Sequence, residues 1–309
     1  MSAIQVSRIH FFLGHSAPIY TVADAGDQHH FFSGSGDGMV VRWDADHPDW
    51  GERVAQLPNS VYAMLAIPET SWLVVGHNYE GIHLIDWQER KEVRSLKLGT
   101  GAIYDIQRVG SDLLVADGQG CVHVIDYPGW SVRHVIRHST DRARCLAVEP
   151  ALGHLAVGYS DRHVRVYSLK DYSLLHDWQA HENSVFAVHY LPGTTILLTG
   201  SRDARIKSWD GAADYAPLLQ VNAHLLAVNN FVSTPDGKHF VTCSQDKTIK
   251  LWKSSDLRLL KVIDKARHNG HQSSVNKALW MPKQDMLITA SDDRSLAGWK
   301  IEHLNDPST

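Results

Sequence analysis

The chain has 309 residues, 43% of them hydrophobic, with 30 basic against 34 acidic side chains and a net charge of −4. That balance supplies no global positive field to draw the protein to nucleic acid or an anionic membrane, and no apolar run reaches the roughly 20 residues of a membrane span. Three cysteines, Cys121, Cys145 and Cys243, without CxxC spacing argue against a disulfide framework or a zinc site, and fit reduced, buried thiols in a cytosolic protein.

Residues Met1 to Phe12 contain no long apolar stretch and no small-residue cleavage site, so no secretory signal is expected and the expected location is cytoplasmic. The first predicted strand, Ile4 to Phe11, stands alone ahead of a series of repeats. Short apolar, β-branched runs bounded by Gly, Asp and Ser then recur as strand signals. They are His30–Ser33, Trp72–Val75, Asp112–Val115, His154–Val157, Ile196–Thr199, His239–Thr242 and Met286–Thr289. Turns such as Gly36-Asp37-Gly38 and Pro235-Asp236-Gly237 punctuate them. No helical period competes over any long stretch.

Each repeat reads as four short strands, a to d. The residue six places after a turn marks the period: Trp43, Ile85, Ile125, Tyr167, Trp209, Trp252 and Trp299, with spacings of 42, 40, 42, 42, 43 and 47. A period of roughly 40–45 residues is the signature of a bladed propeller. The predicted fold is therefore all-β, a seven-bladed propeller of four-stranded antiparallel blades forming one domain. The last repeat stops at strand c, Ser295 to Ile301, ahead of a polar tail at 302–309. The orphan N-terminal strand is expected to supply its missing strand d, closing the ring and protecting an open edge. Deleting residues 1–12 should then destabilise the last blade.

Four repeats carry a further constellation. His15, His181, His224 and His271 each lie 22 residues before an Asp: Asp37, Asp203, Asp246 and Asp293. A hydroxyl stands four places before that Asp, at Ser33, Thr199, Thr242 and Thr289, and a Trp six places after it, at Trp43, Trp209, Trp252 and Trp299. A Ser-His-Asp set invites a hydrolase reading, but a catalytic triad occurs once, in a cleft. Four copies on one period mean structure. A buried Asp is costly unless its oxygens are paired, and a satisfied network fixes one register for the strands that contribute to it.

With these residues in view, the chain resembles the WD-repeat (WD40) β-propeller family. Gly14-His15, Gly270-His271, Trp43-Asp44 and Trp209-Asp210 stand where that family has its GH and WD dipeptides, and the resemblance covers residues 4–301. It implies that the four complete sets are hydrogen-bonded tetrads. Repeats two to four depart from the pattern. Tyr79 and Gln119 occupy the Asp position in the second and third; the fourth keeps Asp161 but has Val157 for the hydroxyl and Tyr167 for the Trp. None has a His at the 22-residue offset, which His138 misses by one place. These blades are expected to rely mainly on apolar packing and to form the less rigid arc.

The resemblance also implies that partners dock on the face made by the d–a and b–c loops, around the channel mouth. Aligning the apolar residue that opens each strand a places one residue per blade just after it: Tyr20, Tyr62, Tyr104, Arg144, Phe186, Asn229 and Asn276. Gly36, Asn78, Gly118, Ser160, Arg202, Gln245 and Asp292, each before a tetrad Asp position, are expected on the same rim. Blades four and five thus present Arg142, Arg144, Arg162 and Arg202. Tyr and Arg are enriched at binding hot spots, and Arg offers a fork to a carboxylate or a phosphate. Such a mouth suits a protein or peptide with an apolar anchor and an acidic or phosphorylated group. A second reading stays open: the aromatic residues pack between blades with their hydroxyls satisfied locally, and the arginines are solvated or paired with Asp. The 47-residue spacing reflects an insertion near Lys265-Ala266-Arg267-His268-Asn269, either a basic projection on this face or a tolerated loop.

The expected function is a non-catalytic interaction scaffold, with a propeller enzyme or small-molecule binder acting at the central channel as the alternative. Glu182 beside His181 is the one suggestive acid–base pair outside the tetrads. His29-His30 and His134/His138 lack a supporting carboxylate or cysteine pattern, so neither a metal nor a cofactor is expected. Nucleic acid is opposed by the net charge, although the Arg arc could touch phosphate locally.

Overall fold

The computed structural model describes residues 4–79 and 81–302, and these form seven four-stranded antiparallel sheets arranged as a propeller. Blade 1 sets the pattern: strand a is Ile19–Asp24, b His30–Ser35, c Met39–Asp44 and d Gly51–Gln56. All seven expected b strands form, each two residues longer than its apolar run, as in Trp72–His77 and Met286–Ser291. The b strands are buried on both faces because each blade is sandwiched between two others. The d strands alternate with solvent or face it outright. Strands a of successive blades lie side by side around the axis, the first against the last.

The core lies between blades. Phe32, Val40 and Val54 of blade 1, for example, pack on Met64, Leu73, Val75 and Ile85 of blade 2. The b strand must let its neighbour approach closely. A Cβ at Gly34 would stand 2.5 Å from the Val61 side chain, and one at Gly200 2.7 Å from that of Val228, so the next blade's strand a fits only against glycine.

The ring closes through its first strand. Gln5–Leu13 pairs antiparallel with Ser295–Glu302, from Gln5 opposite Glu302 to Leu13 opposite Ser295, and completes blade 7 as its strand d. This strand is shifted slightly from the expected Ile4–Phe11, and Glu302 belongs to strand c rather than to the tail; residues 303–309 of that tail lie outside the described residues. Phe12, fully buried, meets Phe31 and Trp43 of blade 1 at centroid distances of 5.2 and 5.7 Å, so the closing strand also anchors the first blade. The 265–269 insertion folds into one helical turn, Lys265–His268, N-capped by Asp264. Its charges are engaged: Arg267 pairs with Asp264 at 2.6 Å, and Lys265 donates to Gln272 at 3.0 Å. Arg8 of the closing strand donates to the Asn269 carbonyl at 2.7 Å, holding the turn against the ring.

In blades 1, 5, 6 and 7 the four periodic residues bond to one another. In blade 5 the Trp209 indole donates to Thr199 at 3.0 Å, His181 Nε2 meets Thr199 Oγ1 at 2.8 Å, and His181 Nδ1 meets Asp203 at 3.0 Å. The same links join Trp252, Thr242, His224 and Asp246 in blade 6. They join Trp299, Thr289, His271 and Asp293 in blade 7, and Trp43, Ser33, His15 and Asp37 in blade 1. An indole only donates and a carboxylate only accepts, so each His carries its proton on Nδ1 and accepts the hydroxyl proton at Nε2. The Asp also takes the backbone N–H of the residue after the His (Ser16, Glu182, Leu225 or Gln272) and of the residue two places on from itself (Met39, Arg205, Thr248 or Ser295).

Burial lowers the pKa of His15, His181 and His224 from the ordinary 6.5, outweighing the neighbouring carboxylate, so the imidazoles are neutral. Burial works to raise Asp203, but the His181 bond and the N–H donors of Glu182 and Arg205 outweigh it and hold it at about 2. Asp37, Asp246 and Asp293 are depressed by the same balance.

Blades 2 to 4 share broad apolar clusters, as expected from their missing tetrads, and also carry polar contacts that the expectation did not include. A different pair of positions, the last residue of strand b and the third of strand c, carries their polar contacts. His77 and His83 meet at 2.8 Å in blade 2, where His83 donates to Glu92 at 2.6 Å. His123 donates to Asp117 at 2.9 Å in blade 3. In blade 4 the Arg165 guanidinium lies 4.8 Å from the Tyr159 ring centroid and pairs with Asp161 and Asp177 at 2.8 and 3.0 Å. The residue at the 22-residue offset there is Ser139, which donates to Asp161 at 2.8 Å; His138 instead packs at a tilt against Tyr167, 5.4 Å between centroids.

Two outcomes follow from these contacts. Phe12→Ala should cost about 3–4 kcal/mol of unfolding free energy, read as a lower denaturant midpoint at unchanged m-value. Asp203→Ala, which strands His181 Nδ1 and two backbone donors, should cost about 3 kcal/mol. The wild type should also lose stability on acidification in two stages. Between pH 7.5 and 5 the unfolded chain takes up protons that His15, His181 and His224 refuse; below about pH 4 the advantage of the depressed Asp carboxylates disappears. Urea midpoints that stay level from pH 7.5 to 5 would contradict the neutral-imidazole assignment.

Candidate functional site

The rim is assembled from two loops per blade that the backbone welds together. In six blades the first residue of the b–c turn donates its N–H to the chain just ahead of strand a: Gly36 to Pro18, Gly118 to Ala102, Ser160 to Arg142, Arg202 to Ser184, Gln245 to Ala227 and Asp292 to Ser274, at 2.8–3.0 Å. Strand a then slips its register against strand b once in every blade. The slips fall between Ile19 and Thr21, Val61 and Ala63, Ile103 and Asp105, Ala143 and Cys145, Val185 and Ala187, Val228 and Asn230, and Val275 and Lys277. The residue skipped at each bulge is Tyr20, Tyr62, Tyr104, Arg144, Phe186, Asn229 or Asn276. A bulge re-aims its extra side chain, and these seven all line one cavity of about 530 Å³ at the channel mouth.

The seven form a nearly continuous belt. Tyr20 and Tyr62 lie 4.6 Å apart between ring centroids, and Tyr62 and Tyr104 6.0 Å. The Arg144 guanidinium sits 4.6 Å from the Tyr104 ring and 5.0 Å from that of Phe186, and donates to Ser160 at 2.8 Å. Asn229 donates to Ser274 and to the Val275 carbonyl at 3.1 and 2.9 Å. Asn276 donates to Asp292 at 2.7 Å and to the Ile19 carbonyl at 2.9 Å, tying blade 7 to blade 1. All seven are half-buried, so each side chain both packs on its neighbours and shows an edge to the channel.

Arg142, Arg162 and Arg202 are exposed, and the first and last of them lie close enough to Arg144 to act on it. Their side chains make no hydrogen bond or ion pair among the described residues. Burial lowers the pKa of Arg144, and repulsion from Arg142 and Arg202 adds to the shift, so these cations share one field. Arg162 adopts φ 77°, a left-handed turn position that fixes its backbone in spite of its long side chain.

Deeper in the channel the belt gives way to polar residues that sequence alignment passed over. Asp105 of blade 3, His189 of blade 5, Asn230 of blade 6 and Lys277 of blade 7 line the same cavity. Asp105 accepts the N–H of Leu146 at 2.9 Å, and its enclosure by protein raises its pKa despite the attraction of Lys277. His189 is pushed down to about 4 by burial, with Lys277 adding to the effect, and bonds Ser233 at 2.7 Å. The Lys277 amine makes no hydrogen bond or ion pair among the described residues. A second cavity of about 360 Å³, lined by Gly26 and Pro68 of the a–b loops, shares Tyr62, Asp105, Gln107 and Lys277 with the first, so the two are ends of one channel. The signal was available: these charged residues stand one place after a rim position, where blades 1, 2 and 5 have Thr21, Ala63 and Ala187.

The other histidine groups separate. His29 pairs with Asp46 at 2.8 Å and His30 with Asp27 at 2.7 Å, while His134 stacks on Tyr172. Glu182 is exposed and contributes its backbone N–H to Asp203. Asp117, Cys121 and His123 bring one potential metal-ligand atom each within 4.8 Å of the others. Asp117 there already accepts the N–H groups of Gln119 and Cys121 and bonds His123, at 2.8–2.9 Å, as the hydrogen-bonded centre of blade 3.

Four segments of the chain, residues 6–44, 172–210, 216–253 and 264–300, match the family model described as WD domain, G-beta repeat. These are the segments that hold the four tetrads. Among curated relatives, the nuclear distribution protein nudF of Aspergillus niger is 30% identical over 43% of this chain and 31% of its own length. A probable cytosolic iron-sulfur protein assembly protein 1 of Eremothecium gossypii is 29% identical over 34% of each chain. WD repeat-containing protein 1 of Gallus gallus is 25% identical over 85% of this chain and 44% of its own. The chain thus spans between about a third and under half of the length of these relatives. With four matched repeats, four bonded tetrads and seven four-stranded blades closed by the first strand, the chain belongs to the WD-repeat β-propeller family.

Proposed function

We propose that this protein is a non-catalytic scaffold that binds a protein or peptide partner on its channel-mouth face. The observation that carries the reading is the convergence of seven bulged residues, four of them aromatic and one an arginine, on one mouth of about 530 Å³. An apolar anchor of the partner rests against Tyr20, Tyr62, Tyr104 and Phe186, and an acidic or phosphorylated group meets Arg142, Arg162 and Arg202 beside Arg144. Asn229 and Asn276 border the rest of the mouth. Packing between blades accounts for the half-burial of the belt. It does not account for three exposed, unpaired arginines gathered beside it. WD-repeat propellers bind proteins, and one relative is named as a target of rapamycin complex subunit, wat1 of Schizosaccharomyces pombe.

A cytoplasmic location belongs to the same proposal. It is supported by the absence, among the described residues, of any helix long and apolar enough to cross a membrane, and by a relative whose name places it in the cytosol. A second reading, a small molecule held in the channel, rests on Lys277 and Asp105 facing the same cavity. A thermal-shift screen addresses it: a ligand at about a hundred times its dissociation constant should add roughly 2.7 kcal/mol of stability.

The scaffold reading is tested by affinity capture with the wild type and an Arg142→Glu/Arg162→Glu/Arg202→Glu variant. These side chains are exposed and make no hydrogen bond or ion pair among the described residues, so the variant should unfold within about 0.5 kcal/mol of the wild type yet lose its captured partner. Equal capture by both proteins would remove the anion-reading role. Tyr62→Ala tests the apolar anchor, with its unfolding midpoint measured alongside to separate lost packing from lost binding.

A further inference from the structure

Leu225 is 88% exposed and Leu226 48%, in the loop that enters blade 6 on the same face. The corresponding pairs in the other tetrad blades are Ser16-Ala17, Glu182-Asn183 and Gln272-Ser273. In all four the first residue of the pair donates its backbone N–H to the tetrad Asp at 2.8–3.1 Å, whatever its side chain: Ser16 and Gln272 also bond through theirs, to Asp37 and Lys265, while that of Leu225 is apolar. Nothing in the blade therefore requires leucine there. Single exposed apolar residues are ordinary, but this pair is adjacent and held. Ala223 and His224 donate to the Ala204 carbonyl at 2.9 and 3.1 Å, and Lys250 donates to the Ala223 carbonyl at 2.7 Å. Beyond the pair, Gln245 donates to the Ala227 carbonyl at 3.0 Å. A loop fixed at both ends has little ordering entropy left to lose on binding.

The surroundings specify what would cover it. The turn whose Ala204 carbonyl holds the loop on one side carries exposed Arg202; the turn whose Gln245 holds it on the other carries exposed Lys247. The carboxylates within those turns, Asp203 and Asp246, are committed to His181 and His224. Exposed Glu182 is one blade back. Apolar surface between two cations whose side chains make no hydrogen bond or ion pair among the described residues complements an apolar side chain between carboxylates.

We propose that Leu225 and Leu226, flanked by Arg202 and Lys247, are a docking point for a partner segment in which a large apolar residue lies between acidic ones. The proposal rests on the reading that this face binds a protein partner, and extends it from the channel mouth to the outer rim of blades 5 and 6.

The test is selection of a randomised 12-residue peptide display library against the 309-residue chain. Selected peptides should share an apolar residue with Asp or Glu on both sides. Leu225→Ser/Leu226→Ser should weaken them at least about tenfold at an unchanged unfolding midpoint, and Arg202→Glu/Lys247→Glu should do the same with loss of the salt dependence. Peptides that bind the Leu variant as tightly as the wild type but are lost with Arg142→Glu/Arg162→Glu would overturn this site and leave the mouth reading standing. A library that yields no binder to the wild type would overturn both. Sedimentation velocity covers the remaining occupant: a concentration-dependent dimer abolished by Leu225→Ser/Leu226→Ser would assign the patch to a second copy of the chain and sink the peptide claim.

Discussion

An indole N–H can only donate a hydrogen bond and a carboxylate can only accept one. Placed at opposite ends of a four-residue chain, they give it a single direction. Trp donates to the hydroxyl, the hydroxyl to His, and His to Asp, with distances of 2.7–3.3 Å in all four tetrads. The Asp then takes one N–H from the loop before strand a and one from its own turn. Those are the two loops of the rim. The network inside the blade therefore sets the position of the surface outside it, and a buried protonation state becomes a condition for a particular shape at the channel mouth. A charged imidazole would offer a second N–H where the hydroxyl now donates. That conflict, together with desolvation, keeps the rings of His15, His181 and His224 neutral.

Blades 2 to 4 meet the same demand for satisfied buried polar groups by another route. In an antiparallel pair, residues diagonal to one another on one face remain within reach of long side chains. His77 stands opposite Gly81 and His83 opposite Val75, which makes the two imidazoles diagonal neighbours. Asp117 with His123, and Tyr159 with Arg165, use the same two places. The substitution is thus positional as well as chemical. The tetrad repeated at fixed offsets and so could be read from the sequence, as could the seven blades and the closing strand. The replacement contacts could not, because the pairing changes from blade to blade, from His with His to Asp with His to Tyr with Arg, and no one pair of residue types repeats. Ser139 illustrates the limit: it occupies the His offset and bonds Asp161, but it is not a histidine, and His138 next door misses the offset by one place.

The rim was readable for a related reason. Aligning the apolar residue that opens each strand a identified Tyr20, Tyr62, Tyr104, Arg144, Phe186, Asn229 and Asn276 as equivalent positions. Their convergence depends on a bulge, and a bulge has no residue signature when Tyr, Arg, Phe and Asn all occupy it. It arises from the backbone, where strand a must turn toward the axis to begin its run along the channel. The next residue in each strand then falls out of the rim series, which is how Asp105 and Lys277 came to line the channel without being singled out. Leu225 and Leu226 were passed over because they flank a tetrad His whose own role explained the segment.

Charge at the mouth is distributed against the balance of the whole molecule. The chain is net acidic, with 34 carboxylates against 30 basic groups. Yet Arg142, Arg144, Arg162 and Arg202 come from two adjacent blades and share one stretch of rim. Arg144 tolerates this because two rings and Ser160 replace part of its lost water. Two unit charges 4 Å apart interact by about 4 kcal/mol at an effective dielectric of 20, against about 1 kcal/mol in bulk water. An anionic group entering the half-enclosed mouth is therefore drawn more strongly than one at the open surface. The same enclosure makes an unpaired cation costly there, and that cost falls when an anion arrives. Aromatic packing alone would favour the belt whether or not a partner existed; the clustered positive charge is the feature that the proposed anion-bearing partner would answer.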